Sequence, residues 1–292
     1  MACNGSTTSI VKYGRTLLTK RMGHTNSILL TSLNRPRVKN AFNDEQYMDL
    51  VNLLHSAQKD DSIHAIVLTG TGNYFSSGAD LSDMDFESEK NMIDKPAGLF
   101  MMALLSFPKV FVAAVNGPAV GIGVTLLMHC DLVYCTPNST FWVPFTRIAL
   151  VPEFCSSVTF VESSGLGRAN ELLLLGKRID AKRAVNDRIV CDIIPDCDVI
   201  GGDGGGDGGG GDAFAVDSIG SKVCHDLDER LFQICHGDKT SAIFVSMIRN
   251  RAERRERMET ICREELVELD ERLKSGDVLE AAMQLNLSKS KL

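Results

Sequence analysis

Nowhere does the sequence hold the run of about 18 or more apolar residues that a membrane-spanning helix needs. Its most apolar stretches, residues 110–115 and 120–128, are separated or broken by asparagine and glycine. The first fifteen residues lack the basic-then-apolar order of a secretory signal, which points to a reducing compartment. Positive charge is in deficit: 31 Lys and Arg against 38 Asp and Glu leave a formal net charge of −7. That balance argues against nucleic acid or an anionic membrane as the main partner, since both need clustered positive charge. The nine cysteines include no CxxC, and Cys130/Cys135 and Cys191/Cys197 lack metal-ligand spacing with nearby histidines. They read as buried small hydrophobes, and no metal site is expected.

Glycine is present in excess but unevenly: nine of the 25 fall within residues 201–212, interleaved with three aspartates. Such a run builds no core, and its aspartates would repel phosphate, so it reads as a flexible linker or loop insertion. The expected organisation is a core over residues 1–198, a linker over 199–213, and a helical region over 214–292. At 44% hydrophobic and 24% charged, the 292-residue chain is globular in composition. It ends on Ser290, Lys291 and Leu292, a tripeptide that the peroxisomal import receptor reads at a free C-terminus. Import into peroxisomes or a peroxisome-like organelle such as the glycosome is therefore expected.

Apolar runs alternate with helical periodicity. Residues 27–33, 65–69, 110–115 and 132–135 read as strands, the third cut off by Asn116, Gly117 and Pro118. Tyr47, Leu50, Val51 and Leu54 recur at helical spacing behind Asn43, with Gln46 three residues beyond that cap. A second helix is expected over residues 97–106. Strand and helix in alternation, with near-continuous apolar strands, imply an α/β layered fold. Residues 214–273 are almost entirely helical in pattern. The mixed charges of residues 249–274 read as a solvated helix face, on an element that serves as a cover or an oligomerisation surface.

Two glycine-containing turns each follow a buried strand. One is Tyr74-Phe75-Ser76-Ser77-Gly78-Ala79-Asp80-Leu81; the other is Asn116-Gly117-Pro118-Ala119-Val120-Gly121-Ile122-Gly123, which opens an apolar helix running to His129. Small residues let a ligand approach the backbone, and free N–H groups at a helix start favour negative charge. Together with Leu33-Asn34-Arg35-Pro36 and Asn40-Ala41-Phe42, this pair resembles the crotonase (enoyl-CoA hydratase/isomerase) superfamily over residues 27–195. The resemblance implies a spiral of ββα units with a C-terminal helical trimerisation region, assembling as a homotrimer or hexamer. It also implies an acyl-CoA substrate whose coenzyme A belongs to the substrate, with no separate cofactor. The backbone amides of Ala79 and Ile122 would form an oxyanion hole for the thioester. Ser77, Gly78, Ala79, Asp80, Leu81 and Gly121 would line the substrate path.

The positions where hydratases of this family carry two glutamates fall on Thr125 and Phe145, so the machinery that adds water is absent. Glu153 remains, within Leu150-Val151-Pro152-Glu153-Phe154-Cys155-Ser156-Ser157. This segment resembles that of peroxisomal Δ3,Δ2-enoyl-CoA isomerases, in which the glutamate is the base that moves a proton from C2 to C4 over a dienolate. Apolar neighbours at Phe145, Ile148, Val151 and Phe154 are expected to raise its pKa toward neutrality. By position alone Glu153 also reads as a first-turn acid on the helix from Cys155. Asp83, Asp85 and Glu162 are rival carboxylates for a hydratase or dienoyl-CoA isomerase, and a catalytically silent acyl-CoA-binding protein is a further alternative.

Arg35, Arg37 and Lys39 are candidates to meet the CoA phosphates or to be simply solvated. Asp80 is a candidate to brace its loop. Asp131 is expected to be structural and His129 a satisfied core histidine. Arg188 stands where relatives commonly have glycine, which puts the local turn in question.

Overall fold

Ala65, Ile66, Val67 and Leu68 are apolar in succession, not alternately, and their surroundings explain why. In the computed structural model Ile66 and Leu68 join one buried cluster with Leu50, Leu54 and Phe100. Ala65 and Val67 join another with Ile28, Leu30, Val112 and Val245. A strand covered on both faces needs no polar side. The structure describes residues 13–23, 25–83, 90–194, 230–231, 240–249 and 251–289. The Gly/Asp run, Asp85, and Ser290, Lys291 and Leu292 lie outside them.

Strands are numbered along the chain: β1 (Leu17–Met22), β2 (Ile28–Leu33), β3 (Ala65–Gly70), β4 (Val110–Val115), β5 (Ala119–Val120), β6 (Leu132–Cys135), β7 (Thr140–Trp142), β8 (Ile179–Asp180) and β9 (Asp192–Ile193). A six-stranded sheet runs β1-β2-β3-β4-β6-β9. Only β1 and β2 pair antiparallel; the rest are parallel, with Leu30 opposite Val67 and Val67 opposite Val112. A smaller sheet, β5-β7-β8, stands beside it. The architecture is the α/β spiral that the resemblance implies, with helices following in the C-terminal part.

Helix α1 (Asp44–Lys59) starts at Asn43, whose side chain accepts from Gln46 N at 3.0 Å. Its inward face carries Leu50, Leu53 and Leu54, each about 1% exposed or less; burying such a side chain is worth about 1.5–3 kcal/mol. Helix α2 (Pro96–Ser106) packs on α1. The apolar helix expected through His129 divides: α3 (Ile122–Thr125) tightens into a 3-10 turn at Leu126–His129, a common way for a helix to close its C-terminal end. After α4 (Ser156–Ser164), α5 (Leu166–Leu173) and α6 (Ala181–Asn186), the described residues also form α7 (Thr240–Ile248), α8 (Ala252–Lys274) and α9 (Asp277–Lys289).

Helix α8 is a cover: it lies on α2 and on the 3-10 turn at Met92–Asp94, and Met258, Cys262, Leu266, Leu269 and Leu273 enter the main core. Its charges do not form a wholly solvated face, because Glu265 and Asp270 are each only 9% exposed. Arg249, just before it, is equally enclosed and bonds to the carbonyls of His129, Phe107 and Lys109. Burial of a guanidinium is tolerable where carbonyls accept from its NH2 groups, as these three do, and a carboxylate offsets its charge, here Asp131 at 3.3 Å from Nε. The cysteine expectation needs one correction: Cys135, Cys155 and Cys262 are buried, but Cys191 is exposed. Among the described residues no helix is long and apolar enough to cross a membrane.

Candidate active site

The two glycine turns face each other. A Cβ built on Gly78 would stand 3.0 Å from Val120 O, and one on Gly121 would stand 3.9 Å from Gly78 Cα. Both have left-handed φ, 91° and 53°, so a side chain at either position is strained, and at Gly78 it is crowded as well. Backbone bonds hold the approach: Val120 N donates to Ser76 O at 2.9 Å, and Gly121 N donates to Trp142 O at 2.9 Å. On the other side Phe42 N donates to Gly78 O, and Asp80 N donates to Phe42 O, each at 2.8 Å. Within this lattice the amides of Ala79 and Ile122 donate no hydrogen bond to any described residue. Ile122 N is the first helical amide of α3, a position whose N–H has no partner within the helix.

Two asparagines staple the same region. Asn40 Nδ2 donates to Thr71 O and Tyr74 O, and its Oδ1 accepts from Arg35 N. Asn116 Oδ1 accepts from Gly70 N, while its Nδ2 donates to Gly72 O. Asp80 braces the loop: its carboxylate accepts from Ser82 and pairs with Arg35 at 3.0 Å. Burial pushes that carboxyl up, but the Ser82 and Arg35 contacts outweigh it and hold it below the ordinary value. Arg35 also donates to Ala41 O at 2.5 Å, so its guanidinium is turned inward. Of the basic cluster, Arg37 and Lys39 stay exposed, with Lys39 Nζ 4.9 Å from the Tyr74 ring centre. Ser77 and Leu81 are partly exposed.

Glu153 stands at the far end of an aromatic chain from this loop. Phe42 and Tyr47 ring centres are 5.2 Å apart, Tyr47 and Phe100 5.9 Å, and Phe100 and Phe154 6.0 Å. The residue is partly buried, and its carboxyl accepts no hydrogen bond from any described residue. Burial, and after it the negative charge of Glu265, push Glu153 up to about 8. Tyr47 is pushed well up too, by burial and then by the charges of Glu153 and Asp44. Thr125 and Phe145 are buried, and neither offers a carboxylate.

Glu153 does not cap the helix that follows it. Glu265 does so: its Oε2 accepts from Cys155 N at 2.5 Å, and its Oε1 accepts from Ser157 N at 3.0 Å and Ser157 Oγ at 2.5 Å. No local side chain caps α4. Sequence reasoning missed both this role and that of Arg249. The available signal was a glutamate inside the stripe of Met258, Cys262, Leu266 and Leu269, where only apolar residues belong.

Among the remaining candidates, His129 is a satisfied core residue: its Nε2 lies 2.7 Å from Phe154 O, and its ring stacks on Phe154 at 4.1 Å. Burial drives it down to about 4, so it stays neutral near pH 7. Asp131 is structural, accepting from Phe111 N at 2.8 Å and pairing with Arg249 at 3.3 Å. Glu162 is exposed and pairs with Arg257, and Asp83 is exposed. Arg188 takes the left-handed backbone itself, at φ 59°, and Ser163 Oγ donates to its carbonyl. No three His, Cys, Asp or Glu side chains group as metal ligands among the described residues.

Comparison with known proteins places this geometry. The sequence profile described as enoyl-CoA hydratase/isomerase matches residues 23–202. Enoyl-CoA delta isomerase 2 of Homo sapiens is 41% identical over 169 residues, 56% of this chain and 43% of that protein. The mouse protein named enoyl-CoA delta isomerase 3, peroxisomal, is 37% identical over 170 residues, 56% of this chain and 53% of its own length. The chain thus spans about half the length of these curated relatives. The solved structure of an enoyl-CoA hydratase/isomerase from Pseudoalteromonas atlantica superposes with a TM-score of 0.76 at 28% identity, covering 94% of this chain and 98% of that one. With the profile matching more than half of its length, the chain belongs to the enoyl-CoA hydratase/isomerase family of the crotonase superfamily.

Proposed function

We propose that the protein isomerises 3-enoyl-CoA to 2-trans-enoyl-CoA in fatty acid β-oxidation, with Glu153 as the single acid/base. The observation that carries this reading is one carboxyl, held without a hydrogen-bond partner and raised to about 8, in a site whose hydratase positions are Thr125 and Phe145. Glu153 removes a proton from C2 of the substrate. The electron pair spreads over the thioester and the former 3,4 double bond, and the amides of Ala79 and Ile122 hold the oxygen of this dienolate. The protonated Glu153 then delivers the proton to C4, leaving the double bond between C2 and C3. One carboxyl suffices, because no water is added and the acid formed in the first step is the acid needed in the second. The raised pKa suits both roles near neutral pH.

Ser77, Gly78, Asp80, Leu81 and Gly121 line the acyl-CoA path in this proposal. Lys39, with its amine on the surface, is better disposed to reach a CoA phosphate than Arg35, which braces Asp80. Coenzyme A enters as part of the substrate. Assembly as a homotrimer or hexamer, and a peroxisomal or glycosomal destination read from Ser290, Lys291 and Leu292, belong to the same proposal; the name of the mouse relative supports the peroxisome. A hydratase reading has its own support in the Escherichia coli relative named 2,3-dehydroadipyl-CoA hydratase, 34% identical over 168 residues.

One spectroscopic assay separates the readings, run on the wild type and Glu153→Ala in parallel. Conversion of 3-enoyl-CoA to 2-enoyl-CoA, lost in the variant, is the expected result. Hydration of 2-enoyl-CoA by the wild type would establish the hydratase, and binding without turnover a silent acyl-CoA-binding protein.

A further inference from the structure

Phe154 and Cys155, directly after Glu153, hold φ of 57° and 59°. Left-handed backbone at two consecutive non-glycine residues is unfavourable and persists only where the surroundings over-determine it. The restraint comes from another part of the chain. Glu265 accepts from Cys155 N, Ser157 N and Ser157 Oγ, at 2.5, 3.0 and 2.5 Å, so one carboxylate grips both sides of the elbow. Its own position is fixed by Met258, Cys262, Leu266 and Leu269, which anchor α8 in the core. Cys155 Sγ adds a bond to Met258 O at 3.2 Å. Ser156 Oγ accepts from Glu153 N at 3.1 Å, so the elbow's hydrogen bonds reach the backbone of Glu153 itself.

We propose that Glu265 is a positioning residue for the reaction: from helix α8 it clamps the backbone at Cys155 and Ser157 and thereby aims the Glu153 carboxyl at the substrate. This rests on the reading of Glu153 as the base. A carboxylate is required at position 265 because all three partners are donors. Glutamine would set an NH2 against one of them, and aspartate is a methylene too short to span both amides.

The charge of Glu265 acts on Glu153 as well. It is the second cause, after burial, of the raised Glu153 pKa, and Glu265 itself is raised by burial against the pull of its three donors. The other titratable groups around the pair are Tyr47 from α1, Cys262 from α8, Cys155 in the elbow, and His129, stacked on Phe154. Arg249 and Arg254 face His129. Removing the charge at 265 therefore lets Glu153 ionise at lower pH.

The test measures kcat, KM and the pH dependence of kcat/KM with 3-enoyl-CoA for the wild type, Glu265→Gln, Glu265→Asp and Glu153→Gln. In Glu265→Gln, kcat is expected to fall about tenfold to a hundredfold, the cost of a misplaced catalytic group, with KM held within about twofold. The acidic limb of its profile moves to lower pH. Glu265→Asp keeps the charge, so its limb stays nearer that of the wild type while its kcat still falls. Wild-type kcat in Glu265→Gln, or an acidic limb that does not move, overturns the proposal. If Glu265→Gln does not fold by circular dichroism, Ser157→Ala carries the test: a loss in kcat of about fivefold at constant KM supports the clamp, and unchanged kcat overturns it. Full activity in Glu153→Gln means that the base reading itself has failed. An inactive Glu153→Gln beside a wild-type Glu265→Gln means that only the clamp has.

Discussion

Gly78 and Gly121 sit in turns held by neighbouring backbone: Val120 N to Ser76 O, Gly121 N to Trp142 O, Phe42 N to Gly78 O. Glu153 sits on a stretch held by side chains from distant segments, above all Glu265, which bonds across 110 positions of sequence to Cys155. The amide side of the site is thus a property of the sheets and of two residues that lack a Cβ. The carboxyl side depends on a C-terminal helix reaching the core. Substitutions should hurt the first through steric strain at a few glycines, and the second through charges removed far from the substrate.

The largest effect on the helical side is expected at Arg249. Arg249→Met leaves Asp131 unpaired and three carbonyls without their donor, and breaking a buried pair this way costs about 3–5 kcal/mol. Urea unfolding should show that loss; a change below about 1 kcal/mol would mean that the C-terminal helices are not anchored through this residue. On the amide side, Gly121→Val places a β-branched residue at φ 53°, ψ −123°. It should lower kcat by about 10²–10³, the value of one displaced oxyanion donor, and stability by about 1–3 kcal/mol. A valine variant with normal kcat would remove the turn from the mechanism.

In the proposed mechanism Glu153 connects activity to stability. Its pKa in the fold, about 8, lies above the ordinary 4.5, so between those values the folded state holds a proton that the unfolded state releases. Stability is therefore greatest below the lower value, declines as pH rises through the window, and levels off above about pH 8. Glu153→Gln should flatten that decline, as read by thermal melts across the window; an identical slope in both proteins would mean that the carboxyl is not buried as described. The smallest effect belongs to Glu162, exposed and paired with Arg257 at 2.7 Å. Glu162→Gln should leave kcat unchanged and shift stability by less than about 1 kcal/mol. Loss of turnover there would favour the rival carboxylate.

What the sequence discloses follows the same division. Strands β2, β3, β4 and β6, the Asn43 cap, both glycine turns and the segment around Glu153 are legible because each is specified by residues close together in the chain, whereas β1 and the short strands β5, β7, β8 and β9 are not. The layout of apolar runs conveys that β3 and β4 are covered on both faces, since neither alternates. Long-range polar contacts leave no such trace. Arg249, Glu265 and Asp270 lie in a stretch rich in both charge signs, where spacing alone suggests solvent exposure, and only the packed fold buries them. Arg35 shows the same limit at shorter range: its proximity to Arg37 and Lys39 suggests a phosphate cluster, but Asp80, 45 positions on, draws its guanidinium inward. Phe154 and Cys155 adopt left-handed backbone that nothing in their identity announces.

The comparison of the two sides depends on Glu153 being the group that moves the proton. Steady-state turnover of 3-enoyl-CoA by a folded Glu153→Gln protein tests this most directly. The account predicts that kcat falls by about 10²–10⁴, the usual contribution of a positioned acid/base, while KM stays within about twofold because the amides and the acyl-CoA path are untouched. A kcat equal to that of the wild type would contradict it.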